Sequence, residues 1–357
     1  MKTPWGPLSR LDQKNYELAA EILSADKHQL LEGLVVECLF DQIVMNIQSV
    51  TDKKVISLDI DSVVVDTGRE LDRWIGLVWA RKKEEGLGRY LILLEKCLVP
   101  YLVTYKNGDF MVVLIREGKK SGPERPLTEL MEELSNGKYV PFSVDISVRD
   151  KNRQRQAFWG FISDYYKERL WERVILPRIL INCGIQPYFR AVWNLDRIVI
   201  IENDIWLFEI KHKYPMRKKS LSFGINVGEL GVIDRLTDAG IHCLHTILVK
   251  PFWSKDVSSL YLLNDLNLRT KAAIIATVLD KSVTSQMLGQ KPGKSGVHTS
   301  ISGCTSLKYK TINSNNFKAL GVISDPPSDL ADKMYAVMAG LPVSSAQDKW
   351  LSELKTL

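Results

Sequence analysis

Two short apolar runs lie near the middle of the chain, Ile198-Val199-Ile200-Ile201 and Ile205-Trp206-Leu207-Phe208, separated by Glu202-Asn203-Asp204, which has turn composition. Runs of this length, rich in β-branched and aromatic residues, predict two strands joined by a tight turn. The second run continues into Glu209-Ile210-Lys211, and strand alternation puts Glu209 and Lys211 on one face. Trp206, Phe208 and Ile210 are apolar on the opposite face, and Ile205 and Leu207 are apolar on the first, the pattern of a central strand covered on both sides. Asp196 stands just before the first run. A turn at Glu202-Asn203 sets Asp196 opposite Glu209, and one at Asn203-Asp204 sets it opposite Lys211. A three-residue turn puts it across from Ile210 and splits the group.

The flanks carry their own patterns. Residues 158–180 read as a helix closed at Cys183-Gly184, with a kink expected at Pro177. Residues 186–192 read as a strand, 224–237 as a helix ended by Asp238-Ala239-Gly240, and 241–249 as a strand stopped by Pro251. In the first 150 residues, 15–31 predict an amphipathic helix, 55–65 a strand and 74–85 a helix. Strands follow at 90–105 and 110–115, then a polar loop at 117–126. Near the end, 266–281, 328–341 and 345–357 read as helices, and 286–305 as a loop. Residues 150–156 lack apolar periodicity and mark a boundary. The expected plan is α+β overall: an N-terminal α+β domain at 1–150, an α/β core with a mixed sheet at 151–255, and a mainly helical extension at 256–357.

At 357 residues the chain is long enough for more than one domain. Hydrophobic content of 45% with 25% charged residues points to a soluble globular protein rather than a disordered or fibrous one. Lys and Arg exceed Asp and Glu by 48 to 42, a mild excess compatible with a nucleic-acid partner. The five cysteines are dispersed and odd in number with no CxxC pair, which argues for a reducing cytoplasm and against a disulfide frame. No apolar segment follows Met1-Lys2-Thr3-Pro4-Trp5, so no signal peptide is expected. The longest apolar stretch, 34–45, is interrupted by Glu37, Asp41 and Gln42 and cannot span a bilayer.

Two carboxylates and an ammonium on one strand face suit phosphodiester hydrolysis. A divalent ion polarises the phosphate and activates water, and Mg²⁺ needs only one or two carboxylates with several waters. A lysine beside it orients the attacking water or offsets developing charge. Asp196, followed thirteen residues later by Glu209-Ile210-Lys211, resembles the D…(D/E)xK signature of the restriction-endonuclease-like nuclease superfamily. Leu195 stands where that family often has proline. The resemblance covers about 100 residues, a typical domain length. It implies an αβββαβ core and a Mg²⁺- or Mn²⁺-dependent endonuclease leaving 5′-phosphate and 3′-hydroxyl ends. Asp196, Glu209 and the Ile210 carbonyl would hold the metal, and Lys211 would position water. It also implies a helix glutamate in the metal shell. Glu168 and Glu172 share one helical face, and the spacing of Glu172 to Gly184 favours Glu172. Such cores are often joined to a sensing or partner-binding domain in mobile-element and anti-phage defence enzymes, which would suit the N-terminal unit. Double-strand cleavage by a single-site enzyme would favour a homodimer.

The basic run 211–219 starts at the last site residue, so Lys213, Arg217, Lys218 and Lys219 are candidate phosphate contacts on DNA. Lys151, Arg153 and Arg155 are weaker candidates, and Tyr214 could stack on a base. Trp159 and Trp171 read as core. Asp59 and Asp61 resemble the D-x-D strand end of haloacid-dehalogenase-like phosphatases, but regular β-α alternation does not follow. Residues 289–295 resemble a P-loop with one residue too few and read as a basic loop. In His242-Cys243-Leu244-His245, strand alternation divides the potential zinc ligands between faces. The alternative to an enzyme is a non-catalytic nucleic-acid- or protein-binding subunit with a nuclease-like core.

Overall fold

The two apolar runs form an antiparallel hairpin, Arg197–Ile201 and Asp204–Lys213. The structure, a computed structural model, describes residues 1–217, 219–254, 257–295 and 307–356. Ile201 pairs with Asp204 and Arg197 with Phe208, so the turn is the two-residue Glu202-Asn203. Glu202 takes a positive φ of 55°, which primed hairpin turns need at their first central position.

The hairpin sits inside a six-stranded mixed sheet. Its order is Lys318–Val322, Ala273–Val278, His242–Val249, Asp204–Lys213, Arg197–Ile201, Val55–Ser57. His242–Val249 runs parallel to Asp204–Lys213 and is reached through strand Leu221–Asn226 and helix Val227–Asp238. The other neighbours are antiparallel. Helices His28–Thr51 and Pro327–Met338 cover one face, where Phe40, Ile43, Phe208, Leu244 and Met334 share a core. On the other face Leu207, Ile247 and Ile275 meet Leu230 and Ile233 of the helix Val227–Asp238.

A second six-stranded sheet has the order Lys119–Pro126, Asp109–Arg116, Val99–Lys106, Trp74–Ala80, Ile60–Asp66, Val192–Leu195. The two sheets are interleaved in the chain. Val55–Ser57 leaves the hairpin sheet, residues 58–195 build the second sheet and its helices, and Arg197 re-enters beside the strand that was left. A small sheet of Met216–Arg217, Leu221–Asn226, Lys308–Asn313 and Gly293–Lys294 lies beside the hairpin sheet.

Several expectations are corrected. Residues 74–80 are a strand, not a helix, because Trp74–Ala80 is buried on both faces and shows no periodicity to read. Residues 90–105 divide into helix Leu87–Glu95 and strand Val99–Lys106. The polar segment Lys119–Pro126 is an edge strand on Asp109–Arg116. No strand occupies 186–191; the strand begins at Val192 and joins the second sheet, pairing with Ser62–Val65. Helical residues 151–185 include π and 3-10 turns, with a break at Lys167 (φ 47°); π turns just before Pro177 absorb its missing N–H. Residues 221–226 are a strand, and the helix starts at Val227, where the Asn226 side chain accepts from Gly228 and Glu229 N–H. Residues 266–281 hold the short helix Leu266–Arg269 and the strand Ala273–Val278, so the C-terminal region supplies strands as well as helices. Among the described residues no helix is long and apolar enough to cross a membrane.

Candidate active site

The hairpin register assembles the site. The pairing of Arg197 with Phe208 sets Asp196, one residue before the strand, opposite Glu209. The Asp196 Oδ2 accepts the Ile210 N–H at 2.9 Å, which fixes the aspartate against the neighbouring strand. Lys211, two residues beyond Glu209, contacts the Glu209 carboxylate directly and lies 3.8 Å from Asp196. A third carboxylate arrives from the first turn of helix Val227–Asp238, where Glu229 lies 3.7 Å from the Lys211 ammonium.

Three carboxylates thus surround one ammonium. Burial raises the Glu209 pKa well above the carboxylate range, and repulsion from Asp196 adds to it; Lys211 opposes both without prevailing. Burial works against the Lys211 charge, but Asp196, Glu209 and Glu229 together push its pKa well above the ordinary lysine value. Glu229 is held down at about 2, because Lys211 and Lys213 outweigh its burial. Glu229 and Lys211 thus each favour the charged form, and Glu209 is the acid of the three that burial pushes toward its neutral form.

A fourth acid approaches from the other face. Glu37 and Asp41 lie one turn apart on helix His28–Thr51 and both engage Arg197, Asp41 at 2.8 and 3.0 Å and Glu37 at 3.4 Å. Burial and then repulsion from Asp196 raise the Glu37 pKa to about 7. The acidic i, i+4 pair Glu37 and Asp41 was the signal for this face; its target, Arg197, lies 156 residues beyond Asp41. Glu229 carried no such signal, since an acid in a helix first turn is ordinary capping chemistry.

The other expected site residues fall elsewhere. Glu172 and Glu168 are exposed, and no ion pair or hydrogen bond among the described residues links either carboxylate to Asp196, Glu209 or Lys211. The Glu172 carbonyl accepts from Arg81 at 3.0 Å. Arg81 also binds Asp59 and Asp61, so the D-x-D pair belongs to an ion-pair network with Arg81 and Arg173. Lys213 shares the face of Glu209 and Lys211, but its ammonium donates to the Gly224 carbonyl at 2.6 Å, and burial lowers its pKa. Arg217 and Lys219 are exposed; Lys218 lies outside the described residues. Trp171 is buried, whereas Trp159 is exposed and stacks on Tyr16. His242 is exposed and stacks on Trp206, while His245 is buried on the opposite face, so the two do not converge.

Two surface hollows, one lined by Met45, Gln48, Ser49, Asp52, Lys53 and Lys54 and one by Asn315, Ser345, Gln347, Asp348 and Lys349, include none of the site residues. Among the described residues no group of three or more His, Cys, Asp or Glu is arranged to hold a metal ion. No family model, curated protein or solved structure matches the chain.

Proposed function

We propose that the chain is a metal-dependent nuclease that hydrolyses phosphodiester bonds, with DNA as substrate. The observation that carries the reading is the convergence of Asp196, Glu209 and Lys211 on one sheet face, with Glu229 beside them. The donor set suits a divalent ion: the oxygens are hard, and the cluster holds three carboxylates around one ammonium. Two protein carboxylates with water as the remaining ligand are enough for Mg²⁺, so the lack of a three-residue group does not oppose it.

Asp196 and Glu209 would hold Mg²⁺ or Mn²⁺. Such an ion polarises a phosphate and yields a hydroxide-like nucleophile near neutral pH. Lys211, drawn off Glu209, would hold the attacking water or offset charge on the phosphorus oxygens. Glu229 keeps that ammonium charged and in reach. The Ile210 carbonyl as a further ligand, and 5′-phosphate and 3′-hydroxyl products, follow from the family resemblance.

The same resemblance asks for helix, three strands, helix, strand. Helix His28–Thr51, strand Val55–Ser57, the hairpin, helix Val227–Asp238 and strand His242–Val249 supply that order if residues 58–195 are an insertion after the first strand. In this arrangement the first helix carries Glu37, whose carboxylate engages Arg197 on the opposite sheet face.

A second reading has one observation in its favour: Lys211 already lies on the acids, and an inert buried ion pair would look the same. The chain would then bind nucleic acid or protein without cutting. Cleavage of plasmid and linear DNA with Mg²⁺ or Mn²⁺ decides between them. Glu209→Ala and Lys211→Ala are expected to abolish cutting while circular dichroism shows a folded chain. Metal-dependent cutting by both variants at the wild-type rate overturns the nuclease.

A further inference from the structure

The strand register extends the acid row by one more polar residue. Glu209 is paired with His245 on the parallel neighbour, and His245 with Thr277 on the strand after it. Cys243, Ile247 and Val249 share the core on the face of Leu207, so His245, in phase with them, faces the side to which Glu209 and Lys211 point. His245 has 0% of its surface exposed, and neither ring nitrogen has a hydrogen-bond partner. The ring feels the Glu209 carbonyl without reaching hydrogen-bond geometry to it. It leans on Phe317, ring centres 6.0 Å apart at 49°. A neutral imidazole carries one N–H and one lone pair.

An unpartnered buried polar group lowers stability, and an aromatic hydrocarbon would fill the same space without that cost. An imidazole kept there needs a partner that arrives in another state of the site. The carboxylate opposite is at present taken by Lys211. We propose that His245 is a positioning residue: with Glu209 serving as a metal ligand and released from Lys211, the imidazole N–H would hydrogen-bond the Glu209 carboxylate and fix its orientation. This rests on the metal-site reading above and adds the group that fixes Glu209. Groups that orient a metal ligand change metal affinity about 10- to 100-fold when removed.

The test is calorimetric titration of Mn²⁺ into the full chain, wild type against His245→Phe and His245→Gln, with urea unfolding of each metal-free protein. His245→Phe is expected to weaken Mn²⁺ binding 10- to 100-fold without loss of metal-free stability, because an unpaired polar group has been replaced by an apolar ring. His245→Gln, which keeps an N–H, should recover at least tenfold of that loss. In cleavage assays the Mg²⁺ concentration for half-maximal rate should rise more than kcat falls at saturating metal. A wild type that binds no Mn²⁺ overturns the metal site and this proposal together. A wild type that binds while His245→Phe binds equally well overturns the positioning role alone, as does equal loss in His245→Phe and His245→Gln. If His245→Phe unfolds, His245→Gln against His245→Leu gives the same comparison.

Discussion

Replacing Glu37 by glutamine removes a charge that the fold holds against its preference. The Glu37 carboxyl is raised from about 4.5 to about 7 by burial and by Asp196. A folded-state acid with a raised pKa keeps its proton longer than the unfolded chain does, so folding binds protons and stability falls as pH rises between those two values. The full gap is worth about 3.4 kcal/mol at about 1.36 kcal/mol per pH unit. Integrated from pH 5 to pH 8, where the unfolded group is already partly ionised at the start, about 2.5 kcal/mol of stability is lost through this one group. Arg197 keeps its two-pronged pair with Asp41, so the substitution strands no cation. Urea unfolding in EDTA at pH 5 and pH 8 measures the effect. Wild type should lose about 2.5 kcal/mol more than Glu37→Gln over that interval. Parallel stability profiles for the two proteins would refute the reasoning and return Glu37 to an ordinary ion pair with Arg197.

Other outcomes follow from the same geometry. Mn²⁺ at a hundred times its dissociation constant should stabilise the wild type by about 2.7 kcal/mol, a rise in Tm of about 3–4 °C for a chain of this length. Glu209→Gln should show no such rise in a thermal melt, and an equal rise in both would remove Glu209 from the metal site. Lys294 and Lys308 are exposed and directly opposite each other across an antiparallel pair, an arrangement that costs stability unless an anion lies nearby. If DNA phosphates supply it, Lys294→Glu combined with Lys308→Glu should lower the slope of log affinity against log salt by about 1–2. An unchanged slope between 50 and 200 mM KCl would place this edge outside the DNA contact.

The trio Asp196, Glu209 and Lys211 was legible because it is local. Alternation along 205–211 places Glu209 and Lys211 together whatever the fold, and only the turn length remained open. Glu202 at φ 55° settled it as the two-residue turn that faces Asp196 to Glu209. Central strands were harder, since Trp74–Ala80 and Ala273–Val278 are buried on both faces and carry no period that distinguishes strand from buried helix.

What the sequence determined by itself was therefore the hairpin and the face its charges share. Only the tertiary structure decided which distant groups lie beside the hairpin on either face. Glu37 comes from a helix that precedes the hairpin by about 150 residues, because Val55–Ser57 stays in the hairpin sheet while residues 58–195 fold as a second sheet. Glu229 and His245 enter through a helix and a parallel strand that reach the hairpin by a crossover. Contacts of that kind depend on sheet order and chain crossing, and these are set by burying three cores at once rather than by any pattern within a few residues.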